Sequence, residues 1–168
     1  VVEVIYEKKE SDLKLNKSNI LSIDLGLNNL CTGINNADVK PFIINGKIMK
    51  SFNKWYNKKK AKWMSFIGDK GISKRLRWLN NCRNFWIEDK IHKISRWIID
   101  FCIKHNIGTI VIGLNKEWKQ EVKLGKRLNQ KFVEIPFSRL IDKIAYKGKL
   151  IGVDVQTTEE SYTSKVDH

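Results

Sequence analysis

The 168-residue chain is 42% apolar and 30% charged, a composition that suits one globular domain with a buried core. Its thirty-two Lys and Arg against eighteen Asp and Glu give a formal charge of +14, which points to a polyanionic partner. No apolar run reaches the ~18 residues of a membrane span, and the start VVEVIYEKKE lacks the pattern of a signal peptide, so the expectation is a cytoplasmic, nucleoid-associated protein with no membrane partner.

Along the chain, Val1–Tyr6 alternates like a strand, and a polar stretch, Lys8–Ser18, follows it. Ile20–Gly26 is apolar enough for a central strand, and Leu30–Ile34 and Pro41–Ile44 add short neighbours in an antiparallel meander. Asn45-Gly46 reads as a turn, with Lys47–Ser51 continuing as strand. From Phe52 the period becomes helical: Phe52, Trp55, Tyr56, Trp63 and Phe66 share one side, while Lys54, Lys58, Lys59, Lys60 and Lys62 crowd the rest. Gly68 and Gly71 punctuate, and a long helix is expected from Ser73 towards His105, with Leu76, Leu79, Trp86, Ile91, Ile94, Ile98 and Cys102 inward. Asn106-Ile107-Gly108 ends it, Thr109–Ile112 reads as a buried strand, and Val133–Lys149 contains a helix starting near Pro136. Ile151–Thr157 closes the order as a last strand. The expected fold class is α/β, one domain over residues 1–168, a mixed sheet with helices on its faces.

Cys31, Cys82 and Cys102 stand singly among apolar neighbours and read as buried small hydrophobes, and no zinc ligand set exists in the chain. The sharpest local signal is Ile23-Asp24-Leu25-Gly26, an acid at the end of an apolar strand followed by a residue permissive of a tight turn. A carboxylate at such a sheet edge can hold a hard divalent cation; a turn-capping Asp is the plainer alternative. Trp55, Trp63, Trp86 and Trp97 fall at core-like helical positions, whereas Trp118, between Lys116 and Lys119 in a loop, is a candidate for base stacking or a local packing anchor. Lys58, Lys59, Lys60 and Lys62 with Arg75 and Arg77 form one candidate phosphate-binding run, and Lys119, Lys126 and Arg127 a second. His92 sits within a helix, as a phosphate contact or a hydrogen-bonded structural histidine.

Several blocks in order resemble the OrfB/TnpB-like transposon-encoded proteins. They include Ser22-Ile23-Asp24-Leu25-Gly26-Leu27-Asn28-Asn29-Leu30, Ile44-Asn45-Gly46-Lys47, Asn53–Lys59 and His92-Lys93-Ile94-Ser95-Arg96. Ile110-Val111-Ile112-Gly113, Leu124–Gln130 and Glu159-Glu160-Ser161-Tyr162-Thr163-Ser164-Lys165 continue the match. The resemblance implies an RNase H-like (RuvC-type) nuclease fold, a transposon-derived guide RNA, a DNA target and acidic residues that use Mg2+ (or Mn2+). Asp24 matches the family's first catalytic acid, which would bridge two ions about 3.5–4 Å apart.

The sequence departs from the family pattern at Gly113, where a Glu usually ends the fourth strand. Either the acid has moved to Glu159 or Glu160 at the end of the neighbouring strand, with Glu160 preferred, or both are loop residues and the site is silent. The resemblance also implies a zinc-ribbon region and a third catalytic Asp beyond Ser164, so the domain reads as incomplete at its C-terminal end. Three functions are carried forward: an RNA-guided, metal-dependent DNA endonuclease domain, a catalytically silent nucleic-acid-binding relative of the same fold, and a strand-joining transposase.

Overall fold

A computed structural model describes residues 4, 5, 7, 9–68, 71–114 and 135–159. It has five strands, β1 (Ile20–Leu25), β2 (Asn29–Asn35), β3 (Phe42–Asn45), β4 (Thr109–Leu114) and β5 (Asp154–Glu159). Three helices accompany them: α1 (Lys47–Ile67), α2 (Lys74–Lys104) and α3 (Phe137–Lys149). The sheet order is β3-β2-β1-β4-β5, with the first three strands antiparallel and β4 and β5 parallel to β1. This is the α/β mixed sheet that the strand pattern leads one to expect.

The strict alternation of β1 sets the two faces. Leu21, Ile23 and Leu25 are buried, whereas Ile20, Ser22 and Asp24 are exposed. In register with the buried set stand Ile110 and Ile112 of β4, and Ile87, Ile91, Ile98, Ile99 and Cys102 of α2 and Leu140, Ile141 and Ile144 of α3 join the same core. The described helices therefore cover one face, not both. On the other face Ile34 and Ile43 are 57% and 63% exposed, and Ser22, Asp24, Gln156 and Thr158 are open.

The last strand spans Asp154–Glu159 and not Ile151–Thr157, with Ile151 and Gly152 in a turn, and two further boundaries differ from expectation for local reasons. Val4 and Ile5, read as part of a first strand, are exposed and outside the sheet, because alternation yields a strand only where an edge receives it. Lys47–Ser51 is helix, not strand: the Asn45 side-chain oxygen accepts from the Lys47 amide at 2.7 Å, satisfying a free donor at a helix start. Asn45-Gly46 thus begins α1 and does not close a hairpin. The long helix is unbroken, with Ser73 as N-cap accepting from the Leu76 amide at 3.2 Å.

At 31 residues α2 extends about 46 Å, against about 20 Å for the six-residue β1. Its C-terminal end leads directly into β4, so it runs antiparallel to β1 and β4 and its N-terminal half overhangs the edge where those strands end. There it pairs with α1 in a helical hairpin that has its own small core of Tyr56, Leu76 and Leu79, with Trp63 against it. Asn53, 1% exposed, accepts from Arg83 Nε at 2.9 Å, and Tyr56 donates to Asn80 Oδ1 at 2.7 Å across the same hairpin.

The tryptophans divide between surface and interior. Trp63 and Trp86 are half-buried against the two cores, as their spacing suggests. Trp55 and Trp97, expected inside, are 44% and 45% exposed: Trp55 lies beside Phe52 on the outside of α1, and Trp97 covers the edge of Phe42. Cys31 and Cys102 are buried as expected, while Cys82 is half-buried on the hairpin.

Candidate active site at the C-terminal edge of β1

Asp24 is held by the strand that the rest of the sheet surrounds. It pairs with Thr32 of β2, and the β1–β4 register, Ile23 with Ile112, continued by one residue sets Asp24 level with Gly113. Gly113 pairs in turn with Thr158 of β5. Asp24, Gly113 and Thr158 thus form one row across three strands at the edge where all three end.

The turn after Asp24 is tight because it lacks room. A Cβ on Gly26 would approach the Asn29 carbonyl oxygen to 2.9 Å, and one on Gly46 would approach that of Leu27 to 2.8 Å. Neither glycine has a positive φ, so the expected conformational permissiveness at Gly26 is in fact a need for space. The Gly46 amide donates to the Asn28 carbonyl at 2.9 Å, which fastens the start of α1 to the turn that follows Asp24. Burial, and secondarily the Asp24 charge, push the neighbouring Cys31 thiol up to about 12.

The acids expected beside Asp24 are unequally placed. Glu159 is the last residue of β5 and its Cα pairs with Leu114, one step beyond the Asp24 row. β5 lies two strand spacings from β1, roughly 10 Å. Glu160, Trp118, Lys119, Lys126 and Arg127 lie outside the described residues. Among the described residues no group of three His, Cys, Asp or Glu is gathered to hold a metal.

Of the basic candidates, Lys58, Lys59 and Lys62 are exposed on α1, whereas Lys60 is half-buried with its ammonium 5.9 Å from the Tyr56 ring. Arg75 and Arg77 are exposed at the start of α2, with Arg75 5.9 Å from the Trp63 ring. All of these sit on the overhanging hairpin. Two further lysines, Lys47 and Lys50, join them because α1 begins five residues earlier than its apolar period indicates.

His92 is engaged structurally. Its Nε2 lies 3.4 Å from Glu88, which also meets Lys143 at 3.0 Å and Arg139 at 3.9 Å, tying α2 to α3. Lys147 reaches back to the His92 carbonyl at 2.8 Å and to Ser95 Oγ at 2.7 Å. This cluster lies on the helix-covered side of the sheet, across from Asp24.

No described helix is long and apolar enough to cross a membrane. Two solved structures share the fold. A Cas12f1–sgRNA–target DNA complex matches with a TM-score of 0.69 and 20% identity, covering 89% of this chain and 38% of that one. A CRISPR-Cas12f ternary complex matches with a TM-score of 0.69 and 19% identity, over 100% of this chain and 34% of that one. These likenesses identify the sheet as RNase H-like, of the RuvC type. A TnpB-like protein of Methanocaldococcus jannaschii is 25% identical over 156 residues, which are 90% of this chain and 56% of that relative. The chain thus spans little more than half the length of that relative. The OrfB_IS605 model, described as a probable transposase, matches residues 3–119, well over half of the chain, which therefore belongs to this OrfB/TnpB family of transposon-associated proteins.

Proposed function

We propose that the chain is the RuvC-type catalytic domain of an RNA-guided, metal-dependent DNA endonuclease. The observation that carries this reading is the position of Asp24: an exposed carboxylate at the end of the central strand, on the open face of the sheet. The similarity to the Cas12f1–sgRNA–target DNA complex, which joins a guide RNA and a target DNA, supports the choice of partners. The surplus of positive charge supports backbone contact with both, leaving sequence choice to base pairing.

Asp24 would hold Mg2+ (or Mn2+) together with a second acid from the end of β5. A hard divalent cation suits a carboxylate set that is open to water, and when bound it supplies an activated water and neutralises charge on the phosphate. Asp154, Gln156 and Thr158 are the β5 residues whose alternation matches the face of Asp24. Glu160 is the preferred second acid and Glu159 the alternative. The Cys31 thiol, neutral and buried beneath the strand, takes no part.

A second reading rests on Gly113. The residue level with Asp24 on the adjoining strand offers no side-chain ligand, as in a silent domain that binds nucleic acid without cutting it. Cleavage of target DNA in the presence of guide RNA and Mg2+ separates the two. The endonuclease reading expects cutting that Glu160→Gln abolishes and Glu159→Gln leaves largely intact. Salt-sensitive binding with no Mg2+-dependent cleavage would favour the silent domain.

A further inference from the structure

α1 carries seven lysines in 21 residues and neither Asp nor Glu. Placed at about 100° per residue, Lys47, Lys50, Lys54, Lys58 and Lys62 fall within an arc of about 120°. That arc is opposite the buried Met49, Asn53 and Tyr56. The row extends about 22 Å, and its four-residue spacing repeats about every 6 Å.

Such a row opposes itself, since each i,i+4 pair of like charges weakens the helix. Among the described residues no ion pair includes a lysine of α1. Beside the row runs a strip of Ile48, Trp55 and Phe66, on which Trp55 is 44% and Phe66 76% exposed. Phe52 braces Trp55 from beneath, its ring stacked at 5.4 Å, and is itself stacked on Trp86 at 4.0 Å.

The start of the row is fixed to the Asp24 edge. Lys50 donates to the Asn28 side-chain oxygen in the turn after β1, and the Gly46 amide bonds the Asn28 carbonyl. From there the row leads outward along the overhanging hairpin.

We propose that the outer face of α1 is a track for single-stranded nucleic acid. Lys47, Lys50, Lys54, Lys58 and Lys62 follow the phosphates, and Trp55 and Phe66 stack on bases. The pairing of a regular cationic row with a parallel aromatic strip selects a single strand, because a duplex keeps its base faces out of reach. That the strand is led to a cutting site rests on the endonuclease reading above; the track itself does not.

The test is binding of the 168-residue chain to a fluorescent polythymidine oligonucleotide, and to a duplex, in EDTA over roughly 50–200 mM salt. The triple variant Lys54→Gln, Lys58→Gln, Lys62→Gln is compared with Lys17→Gln, Lys40→Gln, Lys104→Gln. The second set removes equal charge at the opposite edge of the sheet. The track predicts that the first variant lowers the salt slope for the single strand by about 2, at about 0.7 per lost phosphate contact, and the second by much less. Circular dichroism should show α1 retained, since the substitutions relieve repulsion. Trp55→Ala should weaken single-strand binding about tenfold at an unchanged salt slope and leave duplex binding alone.

Equal losses in the two triple variants, or no effect of Trp55→Ala, would overturn the proposal. Because no metal is present, binding as predicted by a chain that never cleaves would leave the track standing and remove only the endonuclease reading.

Discussion

At the residue scale, the described residues place the Asp24 carboxylate on the open face of the sheet, followed by glycines that are there for space. Asp24 was legible because apolar residues on either side fix the strand and a glycine follows two residues later. The reason for that glycine was not, since a clash with the Asn29 carbonyl depends on the turn closing. The second acid is harder to read: strand alternation reverses with every residue, so adjacent glutamates differ in face and the sequence does not say where pairing stops. Trp55 and Trp97 are exposed despite core-like spacing, because helical spacing shows which residues share a side and not whether anything covers that side.

Asn53 illustrates a residue whose role only the packed structure reveals. It is a polar side chain at 1% exposure that accepts from Arg83 Nε, in a helix that otherwise reads as basic and aromatic. Asn53→Ala should cost about 1–3 kcal/mol, because the buried Asn53 side chain and its bond to Arg83 Nε are lost from the hairpin. Urea denaturation measures this. A change below about 0.5 kcal/mol would mean that other contacts hold the hairpin.

At the element scale, the strands and the long helix follow from their apolar periods, while the start of α1 does not. Asn-Gly between apolar runs is the usual signal of a hairpin, and here the same Asn side chain satisfies the first helical turn instead. That shift of five residues matters for the proposed track, because it brings Lys47 and Lys50 into line with Lys54, Lys58 and Lys62.

The α2–α3 contact carries a pH dependence that follows from the charges at Glu88. A hydrogen bond and charge from Lys143 hold the Glu88 carboxyl below its ordinary value of 4.5, with His92 and Arg139 adding to it. Burial, then the Lys143 and Lys147 charges, lowers His92 below 6.5, against the opposing pull of Glu88 and Asp89. Both groups bind protons more tightly in the unfolded chain. Their stabilisation is therefore present at neutral pH and is lost as pH falls, first from about 6.5 through His92 and then from about 4.5 through Glu88. Thermal unfolding of wild type and His92→Gln between pH 7.5 and 5 should show the wild type losing stability more steeply on acidification, with the variant flatter. Parallel curves would remove His92 from the account. The assay range lies within the pH interval where His titrates.

At the scale of the whole molecule, three levels of organisation meet at one edge. Parallel strands bring Asp24, Gly113 and Thr158 to a common row, the glycine-tight turn fastens α1 there, and the excess length of α2 carries a basic hairpin beyond it. The described helices leave the face of the sheet that presents Asp24 open. This division of labour gives the fold a buried side for stability and an open, positively flanked edge for a polyanion.

In the proposed function the Asp24 carboxylate, as a holder of the metal, and not merely the fold or its charge, is required for phosphodiester hydrolysis. The most direct measurement compares wild type with Asp24→Asn for Mg2+-dependent, guide-dependent cleavage of target DNA, with nucleic-acid binding measured in parallel. Because Asp24 is exposed, the substitution should leave unfolding and binding close to wild type. Cleavage should fall by roughly two orders of magnitude or more, with loss of the dependence on Mg2+. Cleavage at the wild-type rate by Asp24→Asn, with Mg2+ dependence unchanged, would contradict the assignment.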